Sequence, residues 1–376
     1  MARRALHSRR SSHGAAGIHV KSFIRKLSIV IVITAIIVIS AALGSYMLLQ
    51  YTLSQTLRID DVTIVEVEPG STPARVFAEL EQDGVISRSG WIRRYWQWQM
   101  PPTVLQVGEY TLKPDMTVKD MLGVLHRGEV LQRSVTLVDG WSFSQFREAL
   151  SQAERLQQTL PVNLSPRQVM KELRLDEKHP EGLFFPDTYQ YTLGMSDRDI
   201  LLRAYKRMQT VLDEVWTQKA QNLPIDSPYE ALILASIIER ETGVPYERDE
   251  ISGVFTRRLQ QGMRLQTDPT VIYGMGDSYQ GRIGRDDLRN VTPYNTYMID
   301  GLPPTPIAMP GREALLAAVN PKPGTSLYFV AKGDGSHIFS DSLQDHNRAV
   351  QQYQIDQRAK DYRSSPPPTN SGGAGR

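Results

Sequence analysis

The pattern of apolar and polar positions divides the chain into one long apolar segment and a longer body of short amphipathic elements. Residues 27–49 contain no charged side chain. At about 1.5 Å per residue, a helix of this length spans the roughly 30 Å hydrocarbon core of a membrane. A secretory signal has an apolar region of only about 7–15 residues. Because no small-residue cleavage site follows the run, we expect an uncleaved transmembrane helix rather than a cleaved signal peptide.

A small α+β module is predicted directly after a linker at residues 50–61. Residues 62–67 alternate Val and Ile with polar side chains, which predicts a half-buried strand. The elements that should follow are helices near 71–84 and from residue 89, a strand at 108–112, a helix at 117–126 and a strand at 133–138. Residues 62–138 therefore form the predicted module. Its Trp-rich second helix suits either a core or a sugar-binding surface.

The remaining body, residues 139–360, is predicted to be a second α+β domain. Helical patterns cover residues 142–175, 197–218, 228–242, 248–261, 313–319 and 345–358. Residues 291–311 are rich in Pro and Gly, which favours a rigid functional loop. Two short strands flank Gly333-Asp334-Gly335 and predict a hairpin. The end of the chain, residues 361–376, has the composition of a disordered tail.

The charges are distributed unevenly along the chain. Residues 1–59 carry eight of the 43 Lys and Arg residues and no acid, which leaves 35 basic residues against 41 acidic ones in the body. An acidic body argues against sequence-independent nucleic-acid binding. The basic flank precedes the apolar run, so the positive-inside rule places residues 1–26 in the cytoplasm and the body outside the inner membrane. No cysteine is present, so the body has no disulfide.

The segment ALILASIIERETG, residues 231–243, carries the most informative acidic side chain. Ser227, Pro228 and Gly243 suit the two ends of a helix. Its isoleucines form an apolar stripe, and the small residues Ala235 and Ser236 leave room for a group to approach beside Glu239. A partly desolvated carboxyl favours the protonated form that a general acid needs. The alternative is a surface glutamate paired with a neighbouring arginine.

Five long stretches of this sequence resemble the endolytic murein transglycosylase family, also called MltG or YceG-like. They are EGLFFPDTYQYT (181–192), LASIIERET (234–242), GVFTRRLQQGMRLQTDPTVIYGMG (253–276), TPYNTYMIDGLPPTPIAMPG (292–311) and LYFVAKGDGSHIFSDSLQDHN (327–347). The strand–helix–helix–strand outline of residues 62–138 is similar to a LysM-like glycan-binding module. With the single anchor, the resemblance covers nearly all of residues 20–360.

The resemblance implies cleavage within peptidoglycan glycan strands by one carboxyl group, which corresponds to Glu239. It implies a lytic transglycosylase that leaves 1,6-anhydro-MurNAc ends and terminates elongation of nascent strands. Glu241 lies about 200° further round the helix and should point elsewhere. The polar residues of the matched loops are the predicted substrate contacts: Gln266, Thr267, Asp268, Asn295, Thr296 and Tyr189.

Two other functions stay open from the sequence. A peptidoglycan hydrolase would use Glu239 with Asp187 or Asp268 as the activator of water, and Glu181 is a further possible acid. A non-catalytic glycan-binding scaffold of the wall-synthesis machinery would need none of these groups. No metal or other cofactor is expected, since paired-histidine motifs such as HExxH are absent. Expected partners are peptidoglycan and, through the cell-wall machinery, penicillin-binding proteins and elongation or division proteins.

Overall fold

The computed structural model describes residues 14–100, 105–176 and 179–356, and it divides into two compact units at Leu131 and Gln132. Both units combine helices with short antiparallel strand pairs, so the predicted mixture of helix and strand is confirmed. The predicted tail at 361–376 lies outside the described residues, as does residue range 1–13 of the basic N-terminal segment.

The first unit contains the apolar helix, a module of two strands and two helices, and one further helix after the module. Its elements are α1 (Gly14–Ser54), β1 (Thr63–Val67), α2 (Pro73–Gln82), α3 (Ser89–Gln99), β2 (Gly108–Leu112) and α4 (Val118–Arg127). Strands β1 and β2 pair antiparallel, from Thr63 opposite Leu112 to Val67 opposite Gly108. The two helices between the strands give the predicted strand–helix–helix–strand order.

Local sequence signals fix the ends of the helices in this module. The Thr72 hydroxyl accepts a hydrogen bond from the Arg75 N–H, and Pro73 occupies the first turn of α2. Thr117 and Asp120 form a capping box at the start of α4, and Gly128 ends it with a φ of 65°. The Trp-rich α3 is divided between core and surface, because Trp96 packs edge-on against Phe77 while Trp98 is 76% exposed.

The apolar helix α1 is longer than the predicted span. It includes Arg25–Ser54, a stretch long and apolar enough to cross a membrane, and the apolar side chains of residues 27–47 are exposed. The helix extends into the predicted linker because Leu53 is buried in the core of the first unit. Leu57 is buried there as well, and its N–H donates to the Met116 carbonyl at 2.8 Å. The predicted linker at 50–61 is therefore helical up to Ser54, and it contributes Leu53 and Leu57 to the core of the first unit.

The second unit is built around one buried helix. Its elements are β3 (Arg133–Leu137), α5 (Phe143–Gln152), α6 (Pro166–Glu172), β4 (Asp187–Tyr191), α7 (Asp197–Trp216), α8 (Pro228–Glu241), α9 (Arg248–Gln260), α10 (Asp268–Met275), α11 (Arg285–Arg289), α12 (Arg312–Val319), β5 (Tyr328–Ala331), β6 (His337–Ser340) and α13 (Leu343–Val350). Residues 231–238 of α8 are all buried, and α12, α7, α9 and α10 pack around this helix. The apolar stripe predicted from the sequence is thus in the centre of the unit.

The structure differs from the sequence-based expectation at several elements. Strand β3 pairs with β4, which was not predicted, so residues 133–137 belong to the second unit rather than to the predicted 62–138 module. The helical region predicted at 142–175 is two helices, because Arg155 takes a left-handed φ of 62° and Ser165 caps a new helix. The short helices α10 and α11 were not predicted.

Candidate active site

Glu239 lies in the last turn of α8, where the buried helix reaches its C-terminal end. Its side chain is only 6% exposed. The helix begins as predicted, since the Ser227 hydroxyl accepts from the Glu230 N–H and Pro228 occupies the first turn. Gly243 is not the cap, because the helix ends at Thr242 in an extended conformation. The carboxyl group therefore sits at the edge of the core.

Both oxygens of the Glu239 carboxylate have fixed donors. The Gly311 N–H donates to Oε2 at 2.9 Å, and Arg248 Nη2 donates to Oε1 at 3.3 Å. Arg248 is the arginine partner that the alternative interpretation required, but this pair is buried rather than on the surface, since the Arg248 side chain is 16% exposed. Gly311 immediately precedes α12, so the positive end of that helix also faces the carboxylate. These contacts fix the orientation of the acid.

The room beside Ala235 and Ser236 is filled by the Pro- and Gly-rich loop. The Ile307 N–H donates to the Ser236 hydroxyl at 3.0 Å, and that hydroxyl donates to the Ile233 carbonyl. Gly182 allows the same loop to pass close by, because a Cβ at this position would lie 2.5 Å from the Pro306 ring. Its φ of +81° also favours glycine. The small residues on α8 thus let the loop bring Gly311 to Glu239.

A second acid stands beside Glu239 in the turn after β3. Asp139 precedes Gly140, whose N–H donates to the Met309 carbonyl at 2.8 Å. Partial desolvation, followed by the negative charge of Glu239, raises the pKa of Asp139 to about 6, and the positive charge of Arg248 opposes the rise. In the sequence, Asp139 is simply the residue after the strand predicted at 133–138. Its signal was an acid next to a turn glycine, which does not indicate a partner 100 residues away.

The other acids considered from the sequence have different surroundings. Glu181 is buried and accepts from the Phe143 N–H at 2.9 Å and from the Tyr273 hydroxyl at 3.1 Å. Burial raises the pKa of Glu181 to about 7. Asp187 opens β4 with an exposed side chain that accepts from the Thr188 N–H. Glu181 therefore joins α5 to α10, while Asp187 accepts only from the backbone of the next residue in β4 among the hydrogen bonds of the described residues.

Five of the six predicted substrate contacts meet in one hydrogen-bonded loop network. The Gln266 N–H donates to the Thr296 carbonyl, and the Thr267 N–H donates to the Thr296 hydroxyl. Asp268 accepts from the Tyr297 hydroxyl at 2.7 Å. Gln266 and Asp268 have exposed side chains, whereas Thr267 and Thr296 are buried.

Asn295 in this network and Tyr189, the sixth predicted contact, are both buried and bonded within the protein. The Asn295 amide donates to the carbonyls of residues 287, 288 and 290, and its oxygen accepts from the Tyr297 N–H. Tyr189 lies in β4, apart from the network, and its hydroxyl donates to the Phe185 carbonyl at 2.6 Å. Their role as substrate contacts stays a prediction, and in this structure their polar groups hold the surrounding chain.

Glu241 points away from Glu239, in agreement with the helical spacing. Its carboxylate accepts a hydrogen bond from the Thr267 hydroxyl, so it belongs to the loop network. Burial raises the pKa of Glu241 to about 7, and the Thr267 bond opposes the rise. Within the described residues, no group of three or more His, Cys, Asp or Glu side chains is placed to hold a metal ion.

Comparison with known proteins identifies the family of this chain. A family model described as the YceG-like family matches residues 65–352. The chain belongs to the YceG-like family. The match contains all five stretches on which the resemblance was based, as well as Asp139, Glu239, Arg248 and Gly311.

Curated YceG-like relatives carry an enzyme name. An "Endolytic murein transglycosylase" of Bacillus subtilis (strain 168) is 27% identical over 329 residues, which are 83% of this chain and 91% of the relative. One of Streptococcus pneumoniae (strain D39) is 27% identical over 347 residues, 82% of this chain but only 62% of the relative. A crystal structure of a yceG-like protein from Listeria monocytogenes is 28% identical, covers 77% of this chain and 99% of that one, and has a TM-score of 0.48.

Proposed function

We propose that this protein is a lytic transglycosylase that cuts peptidoglycan within its glycan strands, with Glu239 as catalytic acid and base. The supporting observation is the buried carboxyl of Glu239, whose two oxygens are held by the Gly311 N–H and by Arg248. Curated relatives named endolytic murein transglycosylase agree with this role. The bond to be cut is the β-1,4 linkage from N-acetylmuramic acid to N-acetylglucosamine.

In the proposed reaction one carboxyl group transfers a proton in both directions. Protonated Glu239 gives its proton to the glycosidic oxygen as the bond from C1 to that oxygen breaks. The C6 hydroxyl of the muramic ring then attacks C1 and returns a proton to the Glu239 carboxylate. The product is a 1,6-anhydro ring, and no water is consumed. Because the nucleophile is already part of the substrate, its effective concentration is high.

The donors around Glu239 contribute to this cycle by orientation and charge. Arg248 and the Gly311 N–H stabilise the carboxylate that exists between the two proton transfers. The Arg248 contact is 3.3 Å long, longer than the roughly 2.7–2.9 Å of a strong charge-assisted bond. In the described part of the chain, Arg248 Nε is buried without a hydrogen-bond partner.

The mass of the products tests this function against hydrolysis. We expect the full chain, solubilised in detergent, to release fragments from purified glycan strands that end in 1,6-anhydro-MurNAc. A hydrolase using Asp187 or Asp268 to activate water would release fragments heavier by one water, with reducing ends. Mass spectrometry of the fragments before any chemical reduction distinguishes the two. Products with only reducing ends would refute the transglycosylase chemistry.

The exposed side chains of the loop network are the proposed glycan contacts. Gln266 and Asp268 face solvent, while Thr267, Asn295 and Thr296 hold the loop that carries them. The Gln266 backbone has a left-handed φ of 51°, which the hydrogen bonds to Thr296 support. If the Gln266 side chain contacts the glycan equally in the ground and transition states, its truncation in Gln266→Ala should raise KM and leave kcat unchanged.

The first unit is proposed to bind glycan as a LysM-like module on a membrane anchor. Its β1–α2–α3–β2 order with antiparallel strands agrees with that outline, and Trp98 offers an exposed aromatic face. Co-sedimentation of the chain with insoluble peptidoglycan measures this binding. Residues 27–49, within the apolar stretch Arg25–Ser54, are proposed to cross the inner membrane once, with the N-terminus in the cytoplasm. Protease protection of tagged termini in spheroplasts checks that topology.

The cellular role is proposed to be termination of glycan elongation. An anchored enzyme that cuts nascent strands near the membrane would set their length, beside penicillin-binding proteins and the elongation or division machinery. The distribution of glycan lengths in cells without this protein measures that role, and an unchanged distribution would refute it.

A further inference from the structure

The last turn of α8 carries a second carboxyl group, which contacts the loop of the proposed glycan contacts. Glu241 accepts a hydrogen bond from the Thr267 hydroxyl, and Thr267 is buried. The negative charge of Asp268 and the positive charge of Arg258 act on the same carboxyl group. Two residues earlier in the helix, Glu239 faces the opposite direction, toward the loop before α12. One helical turn thus holds the proposed catalytic acid on one side and the glycan-contact loop on the other.

The residues on either side of Gln266 are fixed by hydrogen bonds to two different helices. Before Gln266, Arg258 Nη1 of α9 donates to the Leu265 carbonyl at 2.7 Å. Arg258 is itself buried, so this contact belongs to the core of the second unit. After Gln266, the Thr267 hydroxyl donates to Glu241 of α8. The backbone at residue 266 is therefore held from α9 on one side and from α8 on the other.

Gln266 has a backbone conformation that needs such support. Its φ of 51° lies in the left-handed region, which residues with a Cβ rarely adopt. Its N–H donates to the Thr296 carbonyl at 3.2 Å, and its side chain is exposed. A left-handed residue other than glycine persists where the surrounding contacts over-determine it, and such residues cluster at ligand-binding sites. The direction of the exposed Gln266 side chain therefore depends on the contacts of residues 265 and 267.

The helix itself gains little from an acid at position 241. Burial of a carboxyl group costs stability unless the group is hydrogen-bonded, and here burial raises the pKa of Glu241 to about 7. Its hydrogen bond leaves α8 and ends on the loop, at Thr267. The benefit of the acid at this position is therefore its contact with the loop.

We propose that Glu241 is a positioning residue for the glycan, which acts through Thr267 to hold Gln266 in the left-handed conformation that presents its side chain to the substrate. This inference rests on the proposed function, and it gives the two acids at the end of α8 different tasks. Glu239 exchanges the proton with the substrate. Glu241 stays within the protein and fixes a glycan contact relative to the helix that carries the catalytic acid.

The kinetic constants of Glu241→Ala test this role, with the full chain in detergent and purified glycan strands as substrate. Alanine removes the acceptor of the Thr267 hydroxyl and is compatible with the helix. We expect KM to rise about 2–10-fold, as for the loss of one hydrogen bond, while kcat stays within about twofold. Glu241→Gln keeps an acceptor oxygen and should restore most of the wild-type KM. Glu148→Ala, the same change at an exposed position of α5, is the matched control and should change neither constant.

A second substitution shows whether Glu241 acts through Gln266. Gln266→Ala should raise KM in the otherwise wild-type chain and add less than about twofold when combined with Glu241→Ala, because the two changes affect one contact. Thr267→Val removes the same hydrogen bond from the loop side and should raise KM as Glu241→Ala does. A thermal unfolding scan of each variant sets an assay temperature well below its Tm. An unchanged KM in Glu241→Ala or in Gln266→Ala, independent effects of the two, or no rescue by glutamine would overturn the positioning role.

The ends of the released fragments distinguish this inference from the function on which it rests. KM is measured from total fragment release, whichever ends the fragments carry. Reducing ends alone, with a raised KM in Glu241→Ala, would refute the transglycosylase chemistry but not the positioning role. Anhydro ends with an unchanged KM would refute only the positioning role, and a wild-type chain that releases no fragments would refute both. Anhydro ends with a raised KM, restored by glutamine, support both.

Discussion

Glu239→Gln is expected to lower the rate of anhydro-fragment release by about 10²–10⁴-fold, the usual contribution of general acid–base catalysis. Glutamine keeps the size of the side chain and an oxygen that can accept from the Gly311 N–H. It cannot donate a proton to the glycosidic oxygen or accept one from the C6 hydroxyl. Rates are measured at saturating substrate, so that the loss appears in kcat.

Glu313→Gln is the matched control for this experiment. Glu313 lies in the first turn of α12, two residues after Gly311, and its side chain is exposed. This control should retain the wild-type rate, because the same charge is removed close to the site but outside the proton path. An unchanged rate in Glu239→Gln would show that the catalytic acid lies elsewhere, as a scaffold protein or a different active site would require.

The position of Glu239 was predictable because its signal is local. Pro228 and Ser227 define the start of α8, and the buried isoleucines place its apolar face in the core. The hairpin at β5 and β6 was predictable for the same reason, since glycine and aspartate mark its turn. In these elements, the residues that determine the structure are neighbours along the chain.

The contacts of the Glu239 carboxyl were not predictable, because they connect distant parts of the chain. Gly311, which donates to the carboxylate, is 72 residues from Glu239, and Arg248 donates from the start of the next helix, α9. Asp139, whose pKa is raised in part by the Glu239 charge, is 100 residues away. The free space beside Ser236 was recognised, but the sequence does not show that Ile307 fills it. Strand β4 was missed although Tyr189 and Tyr191 alternate with polar residues, because the preceding aromatic and proline residues obscure the pattern.

Glu247→Ala is expected to destabilise the second unit by about 3–5 kcal/mol, because several buried hydrogen-bond donors lose their acceptor at a cost of about 1–3 kcal/mol each. Glu247 and His337 are both buried, and His337 Nδ1 lies 2.8 Å from Glu247 Oε2. The His337 N–H donates to Oε1 at 2.8 Å, and the Thr242 hydroxyl donates to Oε2 at 3.3 Å. Alanine would leave these donors buried without an acceptor.

The loss should be visible as a fall in Tm. For a unit of this size, about 1 kcal/mol corresponds to roughly 2–4 °C, so a fall of about 6–20 °C is expected. Glu247→Gln keeps a hydrogen-bond acceptor, so its Tm should fall less than that of Glu247→Ala. Glu250→Ala, three residues on in α9, breaks only a surface pair with Lys322 and should change Tm little.

This buried pair also connects stability to the site. Glu247 ends the short turn Pro245–Glu247 that joins α8 to α9, and the next residue is Arg248, the partner of Glu239. His337 fixes that turn to β6, so loss of the pair frees the start of α9 and Arg248 with it. Glu247→Ala should therefore also lower kcat at temperatures well below its Tm. A variant with wild-type Tm and wild-type kcat would show that the pair supports neither the fold nor the position of Arg248.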